Sequence, residues 1–146
     1  MKPRLLDVNV LIALVDTGHV HHRIAHDWFT QEGSKAWATC PFTESGMVRI
    51  LSNPKYSSQP LSARDVAVVL AALKNRFAGT HQFWPDSLSI NDECFDLGRV
   101  TGAKQITDMY LLGLAAKNGG ALATFDRRMD WQMVLHQSQH LITLLP

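Results

Sequence analysis

The chain reads as an α/β protein in which a parallel sheet is covered on both faces by helices. Short, buried-looking apolar runs alternate with longer segments of helical periodicity, the order that builds parallel strands with crossover helices. No repeat, low-complexity segment or interdomain linker interrupts the 146 residues, a length that fits one domain spanning 1–146. Four acids, Asp7, Glu44, Asp108 and Asp126, resist the hydrophobic pattern at positions that share one rim of such a sheet, where ligands gather in this class.

The elements follow in order. Residues 3–7 form a short buried strand, and a helix runs from about Asn9 to Asp16, stopped by Gly18. A second helix spans His21 to about Gln31, with Ile24, Trp28 and Phe29 on one side. Ala36-Trp37-Ala38-Thr39 is the second strand. Pro41, tolerated in a first turn, opens a helix to Leu51 that Asn53-Pro54 ends. Ser62-Ala63-Arg64-Asp65 resembles a capping box, and Val66, Val69, Leu70, Leu73 and Phe77 carry the helix onward at helical spacing. Gln82-Phe83-Trp84 is a third strand. Ser89-Ile90-Asn91-Asp92 caps a short helix ending near Gly102. Asp108 to Lys117 is a central helix, apolar on most sides and closed by Gly119-Gly120. Ala121-Leu122-Ala123-Thr124 is a buried strand, and Leu141-Ile142-Thr143-Leu144 is the last.

Composition narrows the class. A hydrophobic fraction of 46% and a charged fraction of 18% describe a folded rather than a disordered chain. At this length, folding buries roughly 68–70% of the unfolded surface. A formal net charge of +1 provides no broad basic field, so any footprint on nucleic acid is local. Cys40 and Cys94 lie far apart, without metal-ligand spacing. They read as reduced thiols of a cytoplasmic protein. The apolar run after Lys2 and Arg4 is broken by Asp7 and Asn9; it is too short and polar for a membrane span and lacks a cleavage-site pattern.

Asp7 is the most informative residue. It stands inside Leu5-Leu6-Asp7-Val8-Asn9-Val10-Leu11, where an unpaired buried charge costs several kcal/mol. Glu44 in Pro41-Phe42-Thr43-Glu44-Ser45-Gly46, Asp108 in Ile106-Thr107-Asp108-Met109 and Asp126 in Ala123-Thr124-Phe125-Asp126-Arg127-Arg128 repeat the anomaly. Four carboxylates in one place cannot all ionise without a counter-charge. A divalent cation supplies one, and hard oxygen donors select Mg²⁺ or Mn²⁺. Such an ion polarises a phosphoryl oxygen and activates water, which points to phosphodiester hydrolysis. The chain has no G-x-x-x-x-G-K loop and no G-x-S-x-G elbow, which argues against nucleoside-triphosphate hydrolysis and serine-hydrolase chemistry.

Each residue also has a plainer reading. Asp7 alone could be a helix cap; Glu44 and Asp108 could be solvated first-turn acids favoured by the helix dipole; Asp126 could be an exposed turn acid. Asn9 is a candidate orienter of Asp7 or a simple helix-start residue. Thr124 could bond a ligand carboxylate or merely fill a strand. Arg49, Arg127 and Arg128 are candidates for phosphate contact, with surface solvation as the alternative. His19, His22 and His26 have a helical spacing that zinc sites use, but no acid or cysteine completes a set, so a solvated face is expected. Trp28, Phe29 and Trp84 read as core or interface rather than as stacking platforms.

Taken together, L-L-D-V-N-V-L-I-A-L, T-E-S-G-M-V-R-I-L-S-N-P, I-T-D-M-Y-L-L-G-L-A and L-A-T-F-D-R-R resemble the PIN-domain family, specifically VapC-type toxins of toxin–antitoxin pairs, over about residues 4–130. That resemblance implies a PIN-like three-layer α/β/α sandwich with a mainly parallel central sheet of four to five strands. It implies an Mg²⁺-dependent endoribonuclease, with Mn²⁺ as a substitute, acting on tRNA, rRNA or mRNA in a prokaryotic cytoplasm. It maps the family's four acids onto Asp7, Glu44, Asp108 and Asp126, its polar position after the first acid onto Asn9 and its Ser/Thr before the last onto Thr124. It also implies a homodimer inhibited by a small VapB-like antitoxin. The segment from Trp131 onward carries no motif.

Two rivals share some of these features. A haloacid-dehalogenase-like phosphatase needs a second Asp two residues after the first, where this chain has Asn9, and a late lysine that is not found. A non-catalytic PIN-like binding module would use the acidic rim only as a partner surface.

Overall fold

A computed structural model describes residues 1–146. Its ten main elements are β1 (Arg4–Leu6), α1 (Val8–Val15), α2 (His22–Gln31), β2 (Trp37–Thr39), α3 (Pro41–Leu51), α4 (Ala63–Arg76), β3 (His81–Phe83), α5 (Gln105–Lys117), β4 (Ala121–Thr124) and β5 (Ile142–Leu144). The five strands form one sheet in the order β3-β2-β1-β4-β5, and every pairing is parallel.

The layers follow from the two-residue period of a strand. Leu5, Ala38 and Leu122 point to one face and pack with Met109, Leu112 and Leu114 of α5 and with Trp84, Phe95, Met133, Val134 and Leu141. Their neighbours Leu6, Trp37 and Ala123 point to the other and pack with Val10 and Leu11 of α1, Phe29 of α2, Met47 and Leu51 of α3, and Val66 and Leu70 of α4. The three-layer α/β/α sandwich expected from the sequence is what forms. Trp84, Phe29 and most of Trp28 are core, not platforms. No helix is long and apolar enough to cross a membrane.

Strand order places the site. β1 pairs with β2 on one side and with β4 on the other, so the chain reverses its winding direction between β1 and β4. In a parallel sheet that crevice opens at the carboxyl ends of the strands, the place where ligands bind. Asp7 follows β1 directly, and the backbone N–H of Asp7 donates to Ala123 O at 2.9 Å, clamping the two strand ends together.

Two expectations need correction. Residues 89–102 do not form a helix; they run as turns with a short 3₁₀ segment at Leu97–Arg99. Asp92 and Asp96 accept from the backbone N–H groups of Cys94 and Gly98, which draws the chain out of a helical ladder. The backbone instead pairs with the C-terminal segment, with Asp96 N donating to Met133 O and Leu135 N to Cys94 O. The residues after Trp131, which bear no motif, thus cover the core as Met133, Val134, Leu141 and Leu145. The second correction concerns α5, which begins at Gln105 rather than Asp108, because the Gln105 side chain accepts from the N–H groups of Thr101 and Gly102 and tethers the preceding turn. Gly119, at φ +67°, ends that helix in the left-handed conformation that glycine adopts freely.

Candidate active site

Asp7 joins both of its readings in one side chain. Oδ1 accepts from the Val8 N–H at 2.8 Å and caps α1, while Oδ2 accepts from Thr124 Oγ1 at 2.7 Å. Thr124 is fully buried at the end of β4. Its single proton goes to Asp7, and its oxygen accepts from Asn9 Nδ2 at 3.3 Å and from the Asp126 N–H at 3.1 Å. One hydroxyl therefore ties the ends of β1 and β4 to the start of α1 and the loop bearing Asp126. Asn9 acts on Asp7 only through Thr124; its Oδ1 accepts from the Phe125 N–H at 3.4 Å. This amide occupies the place where the phosphatase chemistry requires a second acid.

The electrostatics single out three of the four acids. Burial pushes the Asp7 carboxyl above its ordinary pKa, the bonds from Thr124 and Val8 work against that, and Asp126 adds repulsion. Asp108, on the first turn of α5, is pushed up to about 6, first by burial and then by the charges of Asp7 and Asp126, with Arg128 opposing weakly. Asp7 and Asp108 have no cationic partner. Asp126 has only Arg128, at 3.5 Å, whose side chain is 93% exposed. The one cation acting on the three carboxylates is thus the exposed Arg128, and Asp7 and Asp108 have no ion-pair partner. No three His, Cys, Asp or Glu side chains converge closely enough to form a preformed metal cage.

Glu44 stands apart. Its Oε2 accepts from Lys74 Nζ at 2.9 Å and from Thr39 Oγ1 at 2.6 Å. Because Thr39 spends its one proton on that carboxylate, the contact of its oxygen with His81 Nε2 at 2.8 Å requires the Nε2–H tautomer as donor. Burial, followed by the Lys74 charge, holds His81 below its ordinary pKa, so a neutral ring fits this role. Sequence reading missed Lys74, Thr39 and His81. The one available signal was that Thr39 ends β2 as Thr124 ends β4. Arg49, Arg127 and Arg128 are all exposed, and Arg49 forms no ion pair. His22 ties α2 to α1 through Ala13 O at 2.7 Å, and His26 is exposed beside Asp27, so the histidine row gathers no ligand set.

The PIN-domain family model matches residues 4–131, most of the chain. The chain belongs to the PIN-domain family. Among its relatives, Ribonuclease VapC39 of Mycobacterium tuberculosis is 46% identical over 123 residues, covering 84% of this chain and 87% of that protein. Ribonuclease VapC38 of the same organism is 43% identical over 122 residues, 84% of each chain. Ribonuclease VapC44 is 40% identical over 142 residues, 96% of this chain and 98% of the relative. This PIN domain therefore aligns with these relatives over nearly their full length.

Does the site suit a divalent metal? Asp7, a buried carboxylate without a cationic partner, and two further acids, Asp108 and Asp126, form an all-oxygen, electron-rich donor group. That group fits a hard cation such as Mg²⁺ or Mn²⁺ and does not suit a soft one.

Proposed function

We propose that this PIN domain is a metal-dependent endoribonuclease, the toxin of a type II, VapBC-like toxin–antitoxin pair. The observation that carries the reading is the trio Asp7, Asp108 and Asp126 at the crevice between β1 and β4, where the one ion-pair partner is the exposed Arg128. The ribonuclease names of its relatives support the same reading. Asp7, Asp108 and Asp126 would hold Mg²⁺ or Mn²⁺, with Glu44 as a fourth acid set back behind Lys74. When bound, the ion would supply a Lewis acid for the scissile phosphate and lower the pKa of the attacking water.

The protein's own groups prepare that site. Thr124 and the Val8 N–H favour the charged form of Asp7 and so work against the effect of its burial. Asn9 and the Asp126 N–H fix the Thr124 hydroxyl in turn. The Lys74–Glu44–Thr39 chain immobilises Glu44 in the first turn of α3. Arg127 and Arg128, which follow Asp126, and Arg49 are available to the RNA backbone. A homodimer, an RNA target and a small protein inhibitor belong to the same proposal.

Purified protein tests it. Single-stranded RNA should be cleaved with Mg²⁺ or Mn²⁺ and not with EDTA, and Asp108→Asn should remove cleavage while retaining the fold. An undiminished rate in that variant removes the site assignment. Expression in a bacterial host of the wild type against Asp7→Ala, with mapping of the cut RNA, would reveal growth arrest and target together.

A further inference from the structure

A groove of about 480 Å³ lies beside the acids, lined among others by Val8, Phe42, Ser45, Arg49, Asp86 and Thr107. Three of these, Val8, Ser45 and Thr107, are chain neighbours of Asp7, Glu44 and Asp108, which sets the groove beside the acids without any of the four lining it.

Its walls carry three chemistries. Phe42 is 45% exposed at the start of α3, and its ring is braced against Tyr110 with centroids 5.0 Å apart. Arg49, two helical turns further along α3, is exposed and has no acidic partner. Asp86, also exposed, provides an acceptor-only carboxylate. At Gly46, α3 lies close against α1: a Cβ there would meet Val8 Cγ2 at 2.8 Å. An exposed braced ring, a free guanidinium and a carboxylate along one groove match the base, the phosphate and the base edge of a nucleotide.

We propose that this groove is a nucleotide subsite for single-stranded RNA, resting on the ribonuclease reading above, in which Phe42 stacks the base next to the scissile phosphate, Arg49 holds a flanking phosphate and Asp86 reads the base edge. A carboxylate accepts from N–H donors and repels carbonyl oxygens. Guanine sets N1–H and N2–H side by side and suits two parallel bonds to Asp86, whereas uracil offers a single ring N–H between two carbonyls. The subsite therefore prefers guanine to uracil.

The test uses the full chain carrying Asp108→Asn, so that RNA is bound and not cut, with fluorescein-labelled RNA octamers either of uridine alone or with one guanosine. The guanosine octamer is expected to bind more tightly. Adding Phe42→Leu or Arg49→Gln should weaken its binding at least fivefold, the lower range for loss of one stacked base, with Mn²⁺ affinity by calorimetry and the melting temperature unchanged. Asp86→Asn should reduce the preference for guanosine. Affinities within twofold of the parent in both Phe42→Leu and Arg49→Gln overturn the subsite, and equal binding of the two octamers overturns the role of Asp86. Cleavage by the chain without Asp108→Asn, measured separately, reports on the ribonuclease reading: a chain that cuts RNA while these variants bind normally loses the subsite and keeps the reading.

Discussion

Replacing Asp108 by Asn should make the metal-free protein more stable at neutral pH while removing its activity. Asp108 is half-buried near Asp7 and Asp126, and its pKa in the folded chain rises from 3.8 to about 6. A folded-state pKa above the unfolded one means that the folded chain binds the proton more tightly. The associated stability is full below about pH 4 and is lost as pH rises through about 6. A rise of this size corresponds to about 3 kcal/mol between the two protonation states. Because the side chain is only half-buried, solvent screening reduces the expected effect to roughly 1–2 kcal/mol. For a chain of this size that is roughly 2–8 °C in melting temperature. Urea denaturation in EDTA at pH 7.5 should show Asp108→Asn as the more stable protein, and a series down to pH 4.5 should bring the two together as Asp108 takes up its proton. Adding Mn²⁺ should then stabilise the wild type more than the variant. A variant equal to or less stable than the wild type at pH 7.5 would refute the idea that the acids repel one another in the metal-free chain.

Two further outcomes follow from the packing. Thr124→Val keeps the shape of a fully buried residue but removes the hydroxyl that serves Asp7, Asn9 and the Asp126 N–H; it should cost about 1–3 kcal/mol and weaken Mn²⁺ binding, while Thr124→Ser should retain the metal affinity, and calorimetry that finds both variants alike would contradict the network. At Gly120 a Cβ would collide with the Pro3 carbonyl and meet Trp84 at 2.7 Å, whereas at Gly79 nothing lies within 4 Å. Gly120→Ala should therefore lower stability by about 1–3 kcal/mol, with thermal melts showing Gly79→Ala close to the wild type.

How much of this was legible beforehand depends on the range of the interaction. Local patterns identified β1, α3, α4 and β4 within a residue or two, because apolar period, the proline at position 41 and the Ser62 cap act over a few residues. The same logic failed at 89–102, where the Ser-Asn-Asp pattern looks like a helix cap. There the backbone found partners some 40 residues away, at Met133 and Leu135. At α4, by contrast, the local signal holds: Ser62 Oγ accepts from the Asp65 N–H and caps the helix.

The candidate site divides along the same line. The sequence alone determined that Asp7 interrupts a buried strand end, that four acids recur in helix-opening or strand-ending positions, and that the donors are hard oxygens. Those facts depend on residue type and local spacing. Only the tertiary structure decided that Asp7, Asp108 and Asp126 repel one another while Glu44 is captured by Lys74. It also decided that Thr124, 117 residues from Asp7, donates the bond that steadies it. Coulomb energies and hydrogen bonds depend on separation in space. For residues that far apart in the chain, separation is set by the strand order β3-β2-β1-β4-β5, which no local pattern encodes.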